Sequence, residues 1–281
     1  MPERPILRYH GGKWLLAPWV LSHFPPHRVY VEAFGGAASV LLQKPRSCAE
    51  VYGDLDGEIV SLFRVLRDPE LALRLRELLE LTPYARSEFA ESYRPDGDPV
   101  EQARRTLARS FMGFGTVAAS GRKTGFRSNV TRSGSTPASD WAGFPNCIAA
   151  FVDRLRGVVL ENRTAADVIR QFDGEETLHY VDPPYPHSTR TLTAKWDRIY
   201  RHEMSDEDHR SLAVLLHDLQ GMVVLSGYPC DLYDMELFSE WERFERKHLA
   251  DRAVPRIEVL WLNAAASEGL VRSRQQERLF A

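Results

Sequence analysis

Apolar and polar positions along the chain alternate between two patterns. Short unbroken apolar runs at Val29–Phe34, about Ala49–Gly53, Val158–Glu161, Leu178–Val181, Gly221–Ser226 and Ile257–Leu262 have the length and composition of buried strands. Between them the spacing predicts helices over Ala37–Lys44, Leu55–Arg67 and Ala165–Phe172. Leu71, Leu75, Leu78 and Leu79 form a further helical stripe. Another helix starts at Ser205, with Asp208 three residues on in a capping-box arrangement, and buries Leu212, Leu215, Leu216 and Leu219. Strand, tight Gly/Ala turn, helix and second strand in succession predict a parallel α/β sheet.

The middle of the chain breaks this rhythm. Between Glu101 and Asp140 there is no acid, while Arg104, Arg105, Arg109, Arg122, Lys123, Arg127 and Arg132 all fall there. Gly113–Ser139 is rich in Gly, Ser and Thr, so the segment reads as a helix followed by a long basic loop or hairpin, a length usually kept for function. For Arg104, Arg105 and Arg109 a solvated helix face and a ligand-contacting face stand equal. For Arg122, Lys123, Arg127 and Arg132, phosphate and base contacts are the better reading, because Lys and Arg supply sequence-independent affinity and Arg also reads guanine edges. Phe126 and Asn129, interleaved with them, are candidates to wedge into or contact a base.

Composition narrows the class. A chain of 281 residues suits one large domain or a domain with an insertion, and 43% apolar with 27% charged content is ordinary for a soluble globular protein. No apolar run approaches the roughly 20 residues that span a bilayer, and Met1-Pro2-Glu3-Arg4-Pro5 lacks the apolar core of a secretory signal. Cys48, Cys147 and Cys230 are odd in number and far apart, which predicts a reducing compartment and neither a disulfide framework nor a cysteine metal site. No metal is expected elsewhere: His23 and His27 have helical spacing but Pro25 and Pro26 between them forbid a helix. A net charge of −3 decides nothing about nucleic acid, so local clustering must.

Three stretches carry candidate chemistry. Asp182-Pro183-Pro184-Tyr185 follows directly on the Leu178–Val181 strand. Two prolines hold a carboxylate, a free carbonyl and a flat ring in one rigid loop. Such a trio can accept two hydrogen bonds from an exocyclic amino group and stack on the base bearing it. Glu32-Ala33-Phe34-Gly35-Gly36-Ala37-Ala38-Ser39 sits at the first strand-to-helix turn, where Gly36 lets a ligand approach the backbone. Asp54 lies twenty residues after Phe34 at the tip of the second strand, the place of an acid that binds ribose hydroxyls. Arg8-Tyr9-His10-Gly11-Gly12-Lys13 is a mobile element with a ring and a cation. It is not a phosphate loop, because Leu7 stands where the earlier glycine belongs and Trp14 follows the lysine.

Together these motifs resemble, over nearly the whole chain and in the same order, the D12 class of Dam-like, α-group N6-adenine-specific DNA methyltransferases. Tyr9, Gly11, Gly12 and Lys13 resemble the family's amino-terminal cofactor motif. Glu32, Phe34 and Gly36 resemble its Phe-x-Gly-x-Gly motif, with Ala38 in place of the second glycine. Asp54 matches the ribose acid, and Asp182 through Tyr185 match the catalytic motif fully. Ser226-Gly227-Tyr228 and Trp261-Leu262-Asn263 fall where later sheet motifs are expected. Thr164-Ala165 stands where many relatives have Asp-Phe. The resemblance implies an α/β fold, a Rossmann-like class I methyltransferase sheet, seven-stranded and mostly parallel. It implies a catalytic domain over residues 1–82 and 157–281 and a mainly helical target-recognition insertion at 83–156. It implies S-adenosyl-L-methionine as donor, bound by Tyr9, Gly11, Gly12, Lys13, Glu32, Phe34, Gly36, Asp54 and Asp182. The acceptor it implies is N6 of a flipped-out adenine in double-stranded DNA. A monomer or weak dimer in a bacterial or phage-infected cytoplasm is expected, with restriction–modification, phage and orphan roles all open. The rivals are an RNA adenine methyltransferase, a non-catalytic DNA-binding relative and, from the glycine turn and Asp54 alone, a nicotinamide-dependent dehydrogenase.

Overall fold

The computed structural model describes residues 1–129, 134–189, 201–250 and 254–280. Arg132, one of the expected DNA contacts, lies outside them. Seven strands, β1 Val29–Glu32, β2 Ala49–Gly53, β3 Val158–Glu161, β4 Thr177–Val181, β5 Met222–Gly227, β6 Glu242–Ala250 and β7 Val254–Leu262, form one sheet in the order β3-β2-β1-β4-β5-β7-β6. β7 runs antiparallel to both β5 and β6, and the other neighbours are parallel. The α/β, seven-stranded and mostly parallel architecture is the one expected of a Rossmann-like methyltransferase. The described helices are α1 Ala17–Leu21, α2 Gly57–Arg67, α3 Pro69–Leu81, α4 Arg86–Glu91, α5 Pro99–Met112, α6 Pro137–Gly143, α7 Ile148–Leu155, α8 Ala165–Gln171, α9 Asp206–His217 and α10 Ala264–Phe280.

Strand alternation sorts the core into two layers, because successive side chains leave opposite faces of a sheet. Tyr30, Tyr52, Leu178, Tyr180, Val224, Leu260 and Leu262 pack with α1, α2, α3, α5, α7 and α10. Val31, Val51, Val181, Val223, Leu225, Val259 and Trp261 pack with α8 and α9. Residues 83–156 share the first layer: Phe89, Leu107, Phe111, Trp141, Phe144 and Phe151 belong to the same apolar cluster as the sheet. Asp56, Asp68 and Asp98 cap the starts of α2, α3 and α5, and the capping box of Ser205 and Asp208 opens α9 as the spacing predicts.

The helix expected at Ala37–Lys44 is instead a run of turns. Two features explain this. Ala38 takes a left-handed φ of 52°, the only positive φ among described non-glycine residues. The Leu41 N–H is drawn to the Glu32 carboxylate at 2.9 Å, so it is withdrawn from a helical ladder. β6 and α10 were not foreseen. β6 is an edge strand in which Glu242, Arg243, Glu245, Arg246 and Lys247 are exposed, a composition that protects an edge from further pairing but hides it from apolar periodicity. α10 buries only Ala266 and Leu270 among the side chains described.

The left-handed Ala38 is fully buried, so both backbone and space constrain it. Ala38→Val should lower unfolding stability by about 2 kcal/mol or more, since a β-branched residue fits this region poorly. Ala38→Gly should stay within about 1 kcal/mol of the parent, because relief of strain offsets the added freedom of the unfolded chain. Denaturant titration of the two variants checks the contrast.

Candidate active site

The carboxyl edge of the sheet gathers the polar residues that the core excludes. Alternation places Glu32 on β1, Tyr180 on β4, Ser226 on β5 and Glu258 on β7 on the same face as the first core layer. β1, β4 and β5 end there, the antiparallel β7 passes there in its first half, and the loops after β1, β2 and β4 open a cleft of about 430 Å³. Tyr9, Gly11, Gly12, Lys13, Glu32, Phe34, Gly36, Asp54 and Asp182 all line this one cleft, together with Pro184. The sequence therefore selected residues that tertiary structure brings together from four separate places in the chain.

The first turn shows why glycines stand in it. A Cβ at Gly35 would meet the Tyr52 ring at 2.1 Å, and Gly36, at φ +47°, lies against the Tyr9 ring. Gly36 N–H donates to Asp54 Oδ2 at 2.7 Å, and Tyr52 Oη donates to the Gly36 carbonyl at 2.7 Å, so the turn is tied to the tip of β2. Asp54 Oδ1 accepts the Asp56 N–H at 2.7 Å. Each Asp54 oxygen keeps a further lone pair for a ligand hydroxyl. Burial nevertheless pushes the Asp54 pKa up.

The catalytic-loop candidates form a second group at the end of the cleft. Lys13 Nζ lies 2.9 Å from Asp182 Oδ1 and 3.7 Å from Glu258 Oε1, and donates to the Gly11 carbonyl at 3.0 Å. Its ammonium is 4.8 Å from the centroid of the Tyr185 ring. The Tyr185 hydroxyl has one proton to give; it lies nearest Glu258 Oε1, with Asp182 Oδ1 at 3.1 Å and Ser226 Oγ also in reach. Pro183 is buried and Pro184 half-buried. Burial pushes Asp182 up and Lys13 pulls it back, while the Glu258 charge adds to the rise and leaves it at about 6. Burial also raises Glu32, to about 8, against hydrogen bonds from the Tyr30 hydroxyl at 2.7 Å and the Leu41 N–H. Glu258 goes the other way: burial would raise it, but Lys13, His248, Tyr185 and Ser226 together hold it below the usual carboxylate range.

The cleft has the chemistry of an adenosine-type site with an amino-acid end. Phe34, Leu55, Ala165, Ala166, Leu212 and Leu215 supply apolar walls, Asp54 an acid and Lys13 a cation. Ser39 Oγ and Asp56 Oδ2 line it as buried polar atoms without a hydrogen-bond partner among the described residues, an arrangement that a polar ligand satisfies. Sequence reasoning quoted Ser39 and Thr164-Ala165 within motifs without giving them a role, and missed Ala166 and Arg201–Met204. The last four border the cleft just before the Ser205 cap, and Arg201 pairs with Asp56 and Glu58 at 2.8 and 2.7 Å. Only that adjacency to a helix start could have pointed to them.

The basic segment divides. Arg104, Arg105 and Arg109 are neither a solvated face nor a ligand surface. Arg104 pairs with Glu88 and Glu101, Arg105 with Asp96 and Glu101, and the buried Arg109 with Glu58 and the Ser92 and Ala118 carbonyls. The acids missing from the segment come from its neighbours in space. Phe126 is not a wedge: it packs on Tyr84 and Phe89 under Arg86. Phe114 presents its ring to solvent instead. Gly113 and Phe126 form an antiparallel bridge, and Tyr93 and Tyr84 hold the Arg122 and Arg127 carbonyls at 3.0 and 2.6 Å. Lys123 is exposed, and Arg122 and Arg127 are half-buried.

Residues 9–253 match the family model of the D12 class N6 adenine-specific DNA methyltransferases, and the chain belongs to that family. It is an adenine-specific DNA methyltransferase. It is 23% identical over 258 residues to the DNA adenine methylase of Escherichia coli K12, and 24% identical over 258 residues to that of Salmonella typhi, covering 88% of this chain and 87% of each relative. The solved structure of precorrin 8W decarboxylase from Methanobacterium thermoautotrophicum aligns over 89% of each chain, at 12% identity and a TM-score of 0.32, a likeness too slight to bear on fold or function.

The folded protein holds the Glu32 proton to about pH 8, whereas the unfolded chain releases it near 4.5. Stability contributed by that proton is complete below 4.5 and is lost as pH rises through 8. Glu32→Gln should flatten this loss, so that between pH 5 and 8 the parent loses more than about 1 kcal/mol relative to the variant. Urea unfolding at the two pH values measures it. Parallel losses would show that Glu32 carries no such proton.

Proposed function

We propose that this methyltransferase takes its methyl group from S-adenosyl-L-methionine held in the cleft and delivers it to N6 of an adenine flipped out of double-stranded DNA. The observation that carries the reading is the position of Asp182, which both closes the cleft and anchors the Pro-Pro loop. The cofactor supplies a methyl already activated on a sulfonium, so the protein's task is positioning. Tyr9 and Phe34 border the adenosine end, Asp54 holds the ribose hydroxyls, and Gly11, Gly12, Glu32 and Gly36 shape the backbone around the remainder. Lys13 is the cation suited to the amino-acid carboxylate.

The adenine amino group is a poor nucleophile because its lone pair is delocalised into the ring. Asp182 accepts one N6–H and the Pro183 carbonyl the other, which favours a more tetrahedral nitrogen. Pro184 stiffens the loop, and Tyr185 offers its face to the base, a stack typically worth about 1–3 kcal/mol. Lys13 now lies where both partners of the base would be, against the Asp182 carboxylate and over the Tyr185 face, and it must move aside as the adenine enters. Residues 83–156 serve as the target-recognition insertion, with Arg122, Lys123, Arg127 and Arg132 on the DNA backbone. No described helix is long and apolar enough to cross a membrane.

Labelled S-adenosylmethionine and unmethylated duplex DNA, followed by nucleoside analysis, should place the label in N6-methyladenine. RNA offered in parallel should remain unlabelled. Asp182→Ala should keep measurable cofactor binding and lose about a hundredfold or more in transfer; full activity in that variant would sink the assignment. An ionised Asp182 carboxylate is the stronger acceptor, and a protonated one carries an O–H that competes as a donor, so single-turnover transfer should rise with pH through about 6 and level off above it. A rate independent of pH from 5 to 8 would remove Asp182 from that role.

A further inference from the structure

Glu258 is a buried acid for which the reading above has no use. It lies on β7, 1% exposed, four residues before the strand ends. Burying a lone carboxylate is costly unless hydrogen bonds and countercharge surround it. Glu258 has both: Ser226 Oγ donates to its Oε1 at 2.7 Å, the Tyr185 hydroxyl donates to the same oxygen, Lys13 Nζ stands at 3.7 Å, and His248 Nε2 lies 3.4 Å from Oε2. Its partners come from four different segments and converge beneath one ring.

We propose that Glu258 is a positioning residue for methyl transfer, holding the Tyr185 hydroxyl so that the ring face is set against the target base, and offering Lys13 a second carboxylate when the base takes its place on Asp182. The inference rests on the reading of Asp182–Tyr185 as the adenine site. Packing alone leaves a loop tyrosine's ring some freedom to turn, and a hydrogen bond at its far end removes it. Here the pin is Glu258, itself pinned by Ser226, and the Tyr228 ring meets Tyr185 edge-on at 4.7 Å to close the remaining side. For Lys13, moving off Asp182 into bulk water would leave Glu258 buried without its cation. Moving the short way toward Glu258 keeps the charge paired while the ammonium still lines the cleft where the cofactor's amino-acid carboxylate is proposed to sit.

The test is a double-mutant cycle on the full chain, with the same duplex and labelled donor. Tyr185→Phe keeps the ring and removes the hydroxyl, and Glu258→Gln keeps the shape and removes the charge. Each should lower kcat about tenfold, the worth of one charge-assisted positioning contact, with cofactor affinity by calorimetry within about twofold of the parent. The double variant should be no slower than the slower single, because both act through one contact. Losses that multiply, or a Glu258→Gln variant with parental kcat, would overturn the proposal.

The pH profile separates positioning from simple loss of structure. The groups facing Glu258 are Lys13 from the amino-terminal loop, Asp182 and Tyr185 from the catalytic loop, Tyr180 on β4, Tyr228 after β5 and His248 on β6. Removing the Glu258 charge takes away a repulsion on Asp182, so the acid limb of kcat/KM should move to lower pH. A limb that stays put would count against the proposal. Should Glu258→Gln fail to fold, Ser226→Ala replaces it in the same cycle with Tyr185→Phe, and the same non-additivity is expected. Parent protein that transfers no methyl to adenine would overturn both this inference and the functional reading; an active parent with multiplying losses overturns this one alone.

Discussion

One ammonium group organises the carboxyl edge of the sheet. Lys13 is buried between Asp182 and Glu258, with the Tyr185 ring beneath it. Removing one partner of such a buried pair typically costs about 3–5 kcal/mol, because the other charge is left unpaired in a poor solvent. The lysine can reach this place only if the amino-terminal loop stays where it is. Gly11 adopts a left-handed φ of 73° there, and the Gly12 N–H closes on the Tyr9 carbonyl at 3.2 Å.

That loop is held by the middle of the chain. Arg8 N–H donates to Ser110 Oγ at 2.8 Å and the Arg8 guanidinium to the Gly113 carbonyl at 3.3 Å. Ser110 and Gly113 lie at the end of α5, where the basic loop departs. A continuous set of contacts therefore runs from the basic loop through α5 to the Gly-Gly-Lys loop and on to Asp182. The arginines of α5 serve this frame. By pairing with Glu58, Glu88, Asp96 and Glu101 they lock α5 against α2 and α4, and they leave Lys123 as the exposed charge beside them.

The two carboxylates of the catalytic edge differ for a physical reason visible in their surroundings. Asp182 is surrounded by few donors and faces another acid, so burial dominates and its pKa rises. Glu258 is more deeply buried but collects Lys13, His248, Tyr185 and Ser226, and it stays ionised. Glu32, with only two donors and no adjacent cation, is the most strongly raised of the three. At neutral pH Glu32 thus keeps its proton while Asp182 and Glu258 are ionised around Lys13, which limits the repulsion that would otherwise oppose folding.

Much of this protein was legible in the order of its residues. Six of the seven strands, the helices at 57–67, 165–171 and 206–217, and the stretches that line the cleft follow from local pattern, because apolar periodicity, caps and a Pro-Pro loop act over a few neighbouring residues. Tertiary structure decided the rest. The Ala37–Lys44 segment failed to become a helix because Glu32, on a neighbouring strand, captured an amide that the helix needed. The charges of Arg104, Arg105 and Arg109 looked unbalanced because, apart from Glu101 at the start of the same helix, their acids Glu58, Glu88 and Asp96 lie farther off in sequence. Phe126 looked free because Tyr84 and Phe89, which cover it, are far away along the chain. Glu258 carried no local signal at all. An isolated acid in an apolar strand acquires meaning only when Ser226, Tyr185, Lys13 and His248 are brought to it, and that convergence is a property of long-range packing, which no pattern of near neighbours encodes.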